Sequence, residues 1–357
     1  MDIPLLNLFR KKDVVAIDIG SSSIKVVQLD EAKKGWELSK LGIAFLPPEA
    51  IVDGSIIDSM TVTNTVKELL KEHSIKVKDA VSSLTGHSVI IKKVSLPAMS
   101  EEDLAESIQW EAEQYIPFPM SEVNIDFQIL GEDEEGKGQM DVMLVAVKKD
   151  VINDYTNVLK EAGLNPVVID VDSFALENMM EINYTIAPNE NVVMVNIGAS
   201  ITSISVMMGG VTGFTRSVPN GGNQFTEEIQ RQLNVSFKDA ETLKKGGVVE
   251  GVDTTDLDEA IESVSTNVVL EVRRSIDFFL SGSPGAFINK IYLSGGGSKV
   301  KGLKEMMQDS TGIPVETADP FNGVIYNPKH FESQYLSEMG PYFGVAVGLA
   351  TRRFADR

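Results

Sequence analysis

The chain has 357 residues, 32 basic against 52 acidic, a formal charge of −20 and no cysteine. That length exceeds one small core and suits two domains, while the acidity repels phosphate backbones and excludes a general nucleic-acid binder. Without thiols there are no disulfides, thiolate zinc sites or cysteine nucleophiles, and His73, His87 and His330 sit at no ligand spacing.

The chain opens with Ile3-Pro4-Leu5-Leu6-Asn7-Leu8-Phe9 ahead of Arg10-Lys11-Lys12. The charge follows the apolar run, the reverse of a signal peptide. The segment reads as a lead-in to the first strand, with a short interfacial contact as the alternative. No stretch approaches the roughly 18–20 apolar residues of a spanning helix, so the expectation is a soluble cytoplasmic protein.

Val14 to Val27 reads as strand, tight turn, strand: a β-branched run to Asp18, then Gly20, Ser21, Ser22 and Ser23, then a second strand through Lys25. Val89–Leu96 reads as a strand ended by Pro97, and Ser100-Glu101-Glu102-Asp103 as a capped helix start. That helix carries Leu104, Ile108 and Ala112 on one face and stops near Ile116-Pro117-Phe118-Pro119. Strands at Asn124–Leu130 and Met140–Val147 flank a polar hairpin loop over 131–138, and a helix over Asp150–Ala162 ends at Gly163. Next come a strand over Val167–Asp172 and a helix from Ser173 to about Ile182.

Val192 to Val206 then repeats the first hairpin, with Asn196, Gly198, Ala199, Ser200 and Thr202. A duplication half a chain length apart predicts two similar domains facing each other. Helices follow over Gln224–Leu233, Phe237–Lys245 and Ala260–Leu280, the last two separated by an acidic linker. A buried-type strand, Lys290–Ser294, runs into Gly295-Gly296-Gly297-Ser298. The last helix, from Gly340 through Ala350, opens with Pro341 and carries Gly344 and Gly348, small enough for a close helix crossing.

Asp18 ends an apolar strand and needs a cation or donors there. Gly20 lets a backbone approach a ligand, the N–H groups of Ser21, Ser22 and Ser23 can form an anion nest, and Lys25 can reach back toward a phosphate. Alone, this motif reads more readily as an edge hairpin with a polar tip. The second copy and the third glycine-rich turn favour a nucleotide held between two domains. Asn196 stands where the first copy has Asp18; its amide oxygen can ligate an ion but cannot act as a base.

This set resembles the actin, hexokinase and Hsp70 ATPase superfamily, an α/β, ribonuclease H-like two-domain fold. Asp18–Lys25 resembles its first phosphate loop, Asn196–Thr202 its second, and Leu293–Ser298 its adenosine loop. Glu241 and Lys244 match its adenine- and ribose-holding pair; without the resemblance they read as a surface ion pair. Between the duplicates, the segments Pro97–Leu104 and Glu111–Pro119, with Ile276–Phe279 and the ending Gly340–Ala350, resemble the PilM family, the FtsA-like type IV pilus assembly proteins.

The resemblance implies an actin-like fold with an FtsA-type inserted subdomain. It divides the chain into a first domain over 1–84, an insert over 85–165, a return segment over 166–188, a second domain over 189–339 with a smaller subdomain near 224–285, and a C-terminal helix over 340–357. It implies ATP or ADP with Mg²⁺: Asp18 on the ion through water, Lys25 on a phosphate, Ser21–Ser23 and Gly198–Thr202 clasping the phosphates, and Glu241, Lys244 and Gly295–Ser298 on adenosine. Asn196 implies little hydrolysis and no catalytic residue is assigned.

The implied partner is the N-terminal cytoplasmic tail of PilN, in a groove between the first domain and the insert, with indirect links to PilO, PilP and the platform and motor proteins at the cytoplasmic face of the inner membrane. Membrane association would come through those partners, with self-association left open. Ile108, Tyr115, Ile116, Pro117 and Phe118 form an apolar cluster that reads either as a wall for an extended peptide or as core of the insert. Two alternatives stand beside this reading: an FtsA-like polymerising membrane tether, and a small-molecule kinase, for which Asp170 and Asp172 are the acids nearest the cleft.

Overall fold

The computed structural model describes residues 13–132 and 138–353. The expected N-terminal segment through Lys12 and the tip of the 131–138 loop lie outside the described residues.

The first duplicated hairpin is β1 (Val15–Ile19) and β2 (Ser23–Glu31), extended by β3 (Trp36–Phe45). With β6 (Asp79–Leu84) and β10 (Asn165–Val171) it forms a five-stranded sheet in the order β10-β6-β1-β2-β3. The second hairpin, β11 (Asn191–Ile197) and β12 (Thr202–Met208), extends through β13 (Val211–Val218) and joins β14 (Lys290–Ser294) and β15 (Val315–Thr317) in the order β13-β12-β11-β14-β15. Read from the β3 and β13 edges, the sheets have one topology: three antiparallel strands, then two running parallel to the central one. The duplication seen in sequence is a duplication of fold.

β1 is buried along its whole length, which is why it reads as an unbroken apolar run. Its alternate side chains serve different cores. Val15, Ile17 and Ile19 face outward onto α1 (Ser59–Glu72) and α3 (Lys149–Glu161), whereas Ala16 faces α4 (Asp172–Asn183) and α10 (Gly344–Thr351). In the second sheet Val193, Val195 and Ile197 face α5 (Gly222–Leu233), α6 (Phe237–Lys244), α7 (Leu257–Ser281) and α8 (Leu303–Thr311). Val192 and Met194 join Ala16 in the middle layer. The two sheets thus enclose α4 and α10, with helices on both outer faces.

The middle layer depends on the small residues of α10. A Cβ on Gly348 would overlap the Ala175 carbonyl of α4, and one on Gly344 would come 3.1 Å from Leu176 Cδ2. The expected close crossing is therefore between α10 and α4. The chain enters α10 through a 3₁₀ turn over Gly340–Phe343, with Pro341 at its start.

Between β6 and β10 lies an antiparallel sheet, β7 (Val89–Pro97), β9 (Gln139–Lys148) and β8 (Val123–Glu132), in the order β7-β9-β8, covered by α2 (Glu101–Glu113). Ser100 caps α2: its Oγ accepts from Asp103 N–H at 3.1 Å and donates to Asp103 Oδ2 at 2.7 Å. Leu104, Ile108 and Ala112 line the buried face.

Two expectations about this region change. Helix α3, assigned to the insert, packs Val151, Tyr155, Val158 and Leu159 against the first sheet beside α1, because it is the crossover that returns the chain to β10. Ile108 and Ile116, assigned to a peptide-facing wall, are 7% and 5% exposed and belong to the core of the insert. Of that cluster, Pro117 is exposed, and Tyr115 and Phe118 are half-buried.

Candidate functional site

Both hairpin turns and the glycine turn after β14 converge on one cavity of about 580 Å³ between the two sheets. Each turn is set by its glycine. Gly20 N–H donates to Ser23 O at 3.1 Å, and the matching Gly198 N–H donates to Ile201 O at 2.9 Å. Gly295 has φ +80°, and a Cβ there would overlap the Ile197 carbonyl. Only glycine brings this third turn so close to the second hairpin.

Asp18, Gly20, Ser21, Ser22, Ser23 and Lys25 line the cavity from the first sheet. Asn196, Gly198, Ala199 and Ser200 line it from the second, with Glu241, Lys244 and Gly295–Gly297 further along. Asp18 and Lys25 are register partners across β1 and β2, and Lys25 Nζ lies 3.3 Å from Asp18 Oδ2 with both side chains 11% exposed. A charged pair this buried requires mutual compensation, and a phosphate arriving there would find a lysine already held in place. The corresponding register pair in the second hairpin is Asn196 and Ser203, both uncharged.

Two predicted residues do not face the cavity. Thr202 is fully buried and its Oγ1 donates to Asn220 O at 2.5 Å, while Ser298 Oγ donates to Gly295 O at 2.7 Å. Their hydroxyls brace the turns from behind, because alternation along β12 and the tight bend after Gly295 point them inward.

Glu241 and Lys244 are not a surface ion pair. Lys244 Nζ donates to Glu241 Oε1, to Thr226 Oγ1 at 2.8 Å and to Gly222 O at 3.0 Å, and Thr226 also donates to Glu241. Burial works to raise the Glu241 carboxyl, but Lys244 beside it outweighs that and holds it below its ordinary value. Burial also draws Lys244 below the usual lysine value against the opposing pull of Glu241. The pair forms a fixed, polar, charge-balanced wall. Helical spacing was visible in the sequence; the helix face turned toward Gly222 was not.

Tyr342 and Phe45 also line the cavity, without having been singled out for it in the sequence. Tyr342 lies over the glycine turn, where a Cβ on Gly296 would come 2.5 Å from its ring, and burial, then the charge of Glu241, raises its phenol. Phe45 from the first lobe has Lys245 of the second 5.4 Å from its ring centroid, so the mouth is bridged. Asp172, at the start of α4, projects into the cavity. Its carboxyl is pushed up to about 7 by burial and by Asp18, with the Ser83 hydroxyl, donating at 2.6 Å, acting the other way. Asp170, the other acid named near the cleft, instead accepts from Arg352 Nε at 2.6 Å and does not line the cavity.

A cleft of glycine turns with lysines held in place suits a nucleotide, whose phosphates such turns can receive on backbone N–H groups. Among the described residues no group of three or more acid or histidine side chains could cage a metal ion.

Two α/β lobes of one strand order, with this cleft between their hairpins and an extra sheet and helix set into the first, define an actin-like ATPase fold with an FtsA-type insert. Cell division protein FtsA of Bacillus subtilis is 23% identical over 386 residues, covering 94% of this chain and 82% of FtsA. MreB5 of Spiroplasma citri, solved bound to AMPPNP, superimposes with a TM-score of 0.51 at 14% identity over 94% of each chain. A solved PilM–PilN type IV pilus biogenesis complex superimposes with a TM-score of 0.87 at 32% identity, covering 97% of this chain and 100% of that one. The sequence profile of the type IV pilus assembly protein PilM matches residues 16–354. The chain belongs to the PilM family of type IV pilus assembly proteins. No helix among the described residues is long and apolar enough to cross a membrane.

Proposed function

We propose that this protein is a nucleotide-dependent scaffold of the type IV pilus machine, holding ATP or ADP between its lobes and the N-terminal tail of a PilN partner beside the insert. The observation that carries the nucleotide reading is the convergence of three glycine turns, the Asp18–Lys25 pair and the Glu241–Lys244 pair on one cavity. In this reading Lys25 meets a phosphate, Asp18 holds Mg²⁺ through water, the turns at Gly20 and Gly198 clasp the phosphates, and Glu241, Lys244 and Gly295–Gly297 hold adenosine. Thr202 and Ser298 act through the turns they brace. Mg²⁺, when bound, neutralises phosphate charge.

Nucleotide is a conformational ligand more than a fuel. Asn196 brings no charge where the first hairpin has Asp18, so turnover is slow; steady hydrolysis near ~1 s⁻¹ by the pure protein would contradict this. Binding only the closed form stabilises it by about 2.7 kcal/mol at a hundredfold excess over Kd. Support for the partner comes from the solved PilM–PilN complex. Tyr115, Pro117 and Phe118, with Lys148 Nζ 4.6 Å from the Phe118 ring, offer the exposed part of a peptide wall. Through that partner the protein would sit at the cytoplasmic face of the inner membrane, in reach of PilO and PilP.

The test is calorimetry with a synthetic PilN N-terminal peptide, with and without Mg-ATP. Tighter binding with nucleotide is expected. Equal affinity would remove the coupling, and no binding at all would remove the partner. The likeness to FtsA supports a second reading, a self-assembling membrane tether; sedimentation with lipid vesicles in the absence of any partner would favour it.

A further inference from the structure

A second chamber of about 220 Å³ lies behind the phosphate end of the nucleotide cavity. The two cavities share Thr85, Asp172 and Ser203, and Thr85 Oγ1 lies 3.3 Å from Ser203 Oγ across the lobes, so these residues form a partition. The far wall is a patch of hydroxyls. β12 and β13 pair Ser203 with Ser217 and Ser205 with Thr215, and directly opposed residues of an antiparallel pair share a face. All four line the chamber.

The near wall is the start of α4, a 12-residue helix whose first-turn amides receive no capping side chain. Those amides and the helix dipole favour negative charge. Ser173, in that first turn, is 7% exposed, lines the chamber, and its Oγ has no hydrogen-bond partner. A buried hydroxyl without a partner is uncommon and calls for one. At the rim stands Lys92, donating to Tyr115 O at 3.0 Å, whereas Arg216, between Thr215 and Ser217 on β13, turns its side chain to the other face, onto Glu271 at 2.9 Å and Ser275 at 3.2 Å. The chamber's acid, Asp172, accepts from Ser83 with Oδ1 and lies on the partition.

We propose that this rear chamber is a binding site for a phosphate-sized tetrahedral oxyanion, separate from the nucleotide's own phosphates. Hydroxyl donors from both lobes, the uncapped helix start and Lys92 at the rim supply its recognition. The volume accommodates one such ion with a few waters, each occupying about 30 Å³. A bound anion would tie α4 of the first lobe to β12 and β13 of the second.

The test is calorimetric titration of the full-length protein with inorganic phosphate, without nucleotide and again at saturating ADP, with glycerol phosphate as a second arm. One phosphate is expected per chain, with affinity changed less than about twofold by ADP. Ser173→Ala removes a hydroxyl that bonds nothing in the protein, so folding should be unaffected, and it should weaken phosphate about fivefold. Ser205→Val, which fills the chamber from the other lobe, should weaken it further, its melting temperature reporting the fold. Glycerol phosphate binding as well as phosphate assigns the ligand as a phosphomonoester; weaker binding assigns free phosphate. No phosphate binding, displacement by ADP, or an unchanged affinity in Ser173→Ala overturns the proposal. If ADP itself does not bind, the nucleotide reading fails while the phosphate isotherm still decides the chamber.

Discussion

The two hairpins are one piece of backbone carrying different chemistry. In both, a glycine N–H closes the turn onto the carbonyl three residues later, and the sheet continues in the same order. Yet the register pair below the turn is Asp18 with Lys25 in the first lobe and Asn196 with Ser203 in the second. The central helices differ in the same sense: α4 begins at Asp172 directly after β10, and α10, reached from β15 through a short helix α9 (Ser333–Met339), begins at Gly344. Charge where the hairpins meet the cavity is concentrated in one lobe, and the other contributes uncharged polar groups there. A duplicated scaffold can therefore hold a highly charged ligand without facing it with like charges from both sides.

Exchanging the pair chemistry should break this asymmetry most strongly. Asp18→Ala leaves Lys25 buried without its partner and removes the carboxylate proposed to hold Mg²⁺, so Mg-ATP affinity should fall about 100-fold by calorimetry, with about 2 kcal/mol of stability lost in urea unfolding. Asn196→Asp, the opposite exchange, should weaken Mg-free ATP about tenfold, with Mg²⁺ restoring most of it.

Glycine substitution should separate the turns next. A Cβ on Gly198 would stand 2.9 Å from the Ile201 carbonyl, backbone that cannot move aside, whereas one on Gly20 meets Lys25 Nζ at 3.1 Å and the corresponding Ser23 carbonyl only at 3.3 Å. Gly198→Ala should cost about 2 kcal/mol in chemical unfolding and Gly20→Ala under about 1 kcal/mol.

Asp172, at the start of α4, should give a pH signature that Gly344, at the start of α10, cannot. Its carboxyl stands near 7 when folded against 3.8 for the unfolded chain, chiefly through burial. Between those values the folded protein holds a proton that the unfolded chain has lost, so this group's contribution to stability rises as pH falls from about 7. Above 7 its buried charge is a full penalty. Asp172→Asn should flatten that slope in melting temperatures between about pH 5 and 8, and raise stability at the alkaline end. The smallest effect belongs to Thr202→Val, which loses the bond to Asn220 O and should cost about 1 kcal/mol with only an indirect loss of nucleotide affinity.

The repeated hairpins, the capped start of α2 and the small residues of α10 were legible in the chain because each is local: a turn needs its glycine, a cap its hydroxyl, a close crossing its missing side chains. Position on a helix face was not local. Glu241 and Lys244 read as a surface pair until α6 is seen turned toward Gly222 and Thr226. Ile108 and Ile116 were legible as apolar, but the same pattern serves a core or a peptide wall, and packing under β7–β9 made them core.

The amino-acid order by itself determined two related lobes, the glycine turns that face each other, and the difference between Asp18 and Asn196. Short-range geometry and side-chain chemistry carry those facts. Only the tertiary structure decided that α3 belongs to the first sheet, that Thr202 and Ser298 turn inward, that Asp172 and not Asp170 lines the cleft, and that Thr85 and Tyr342 join it there. Those outcomes depend on which distant surfaces meet when both sheets close around α4 and α10, and no spacing along the chain encodes that meeting.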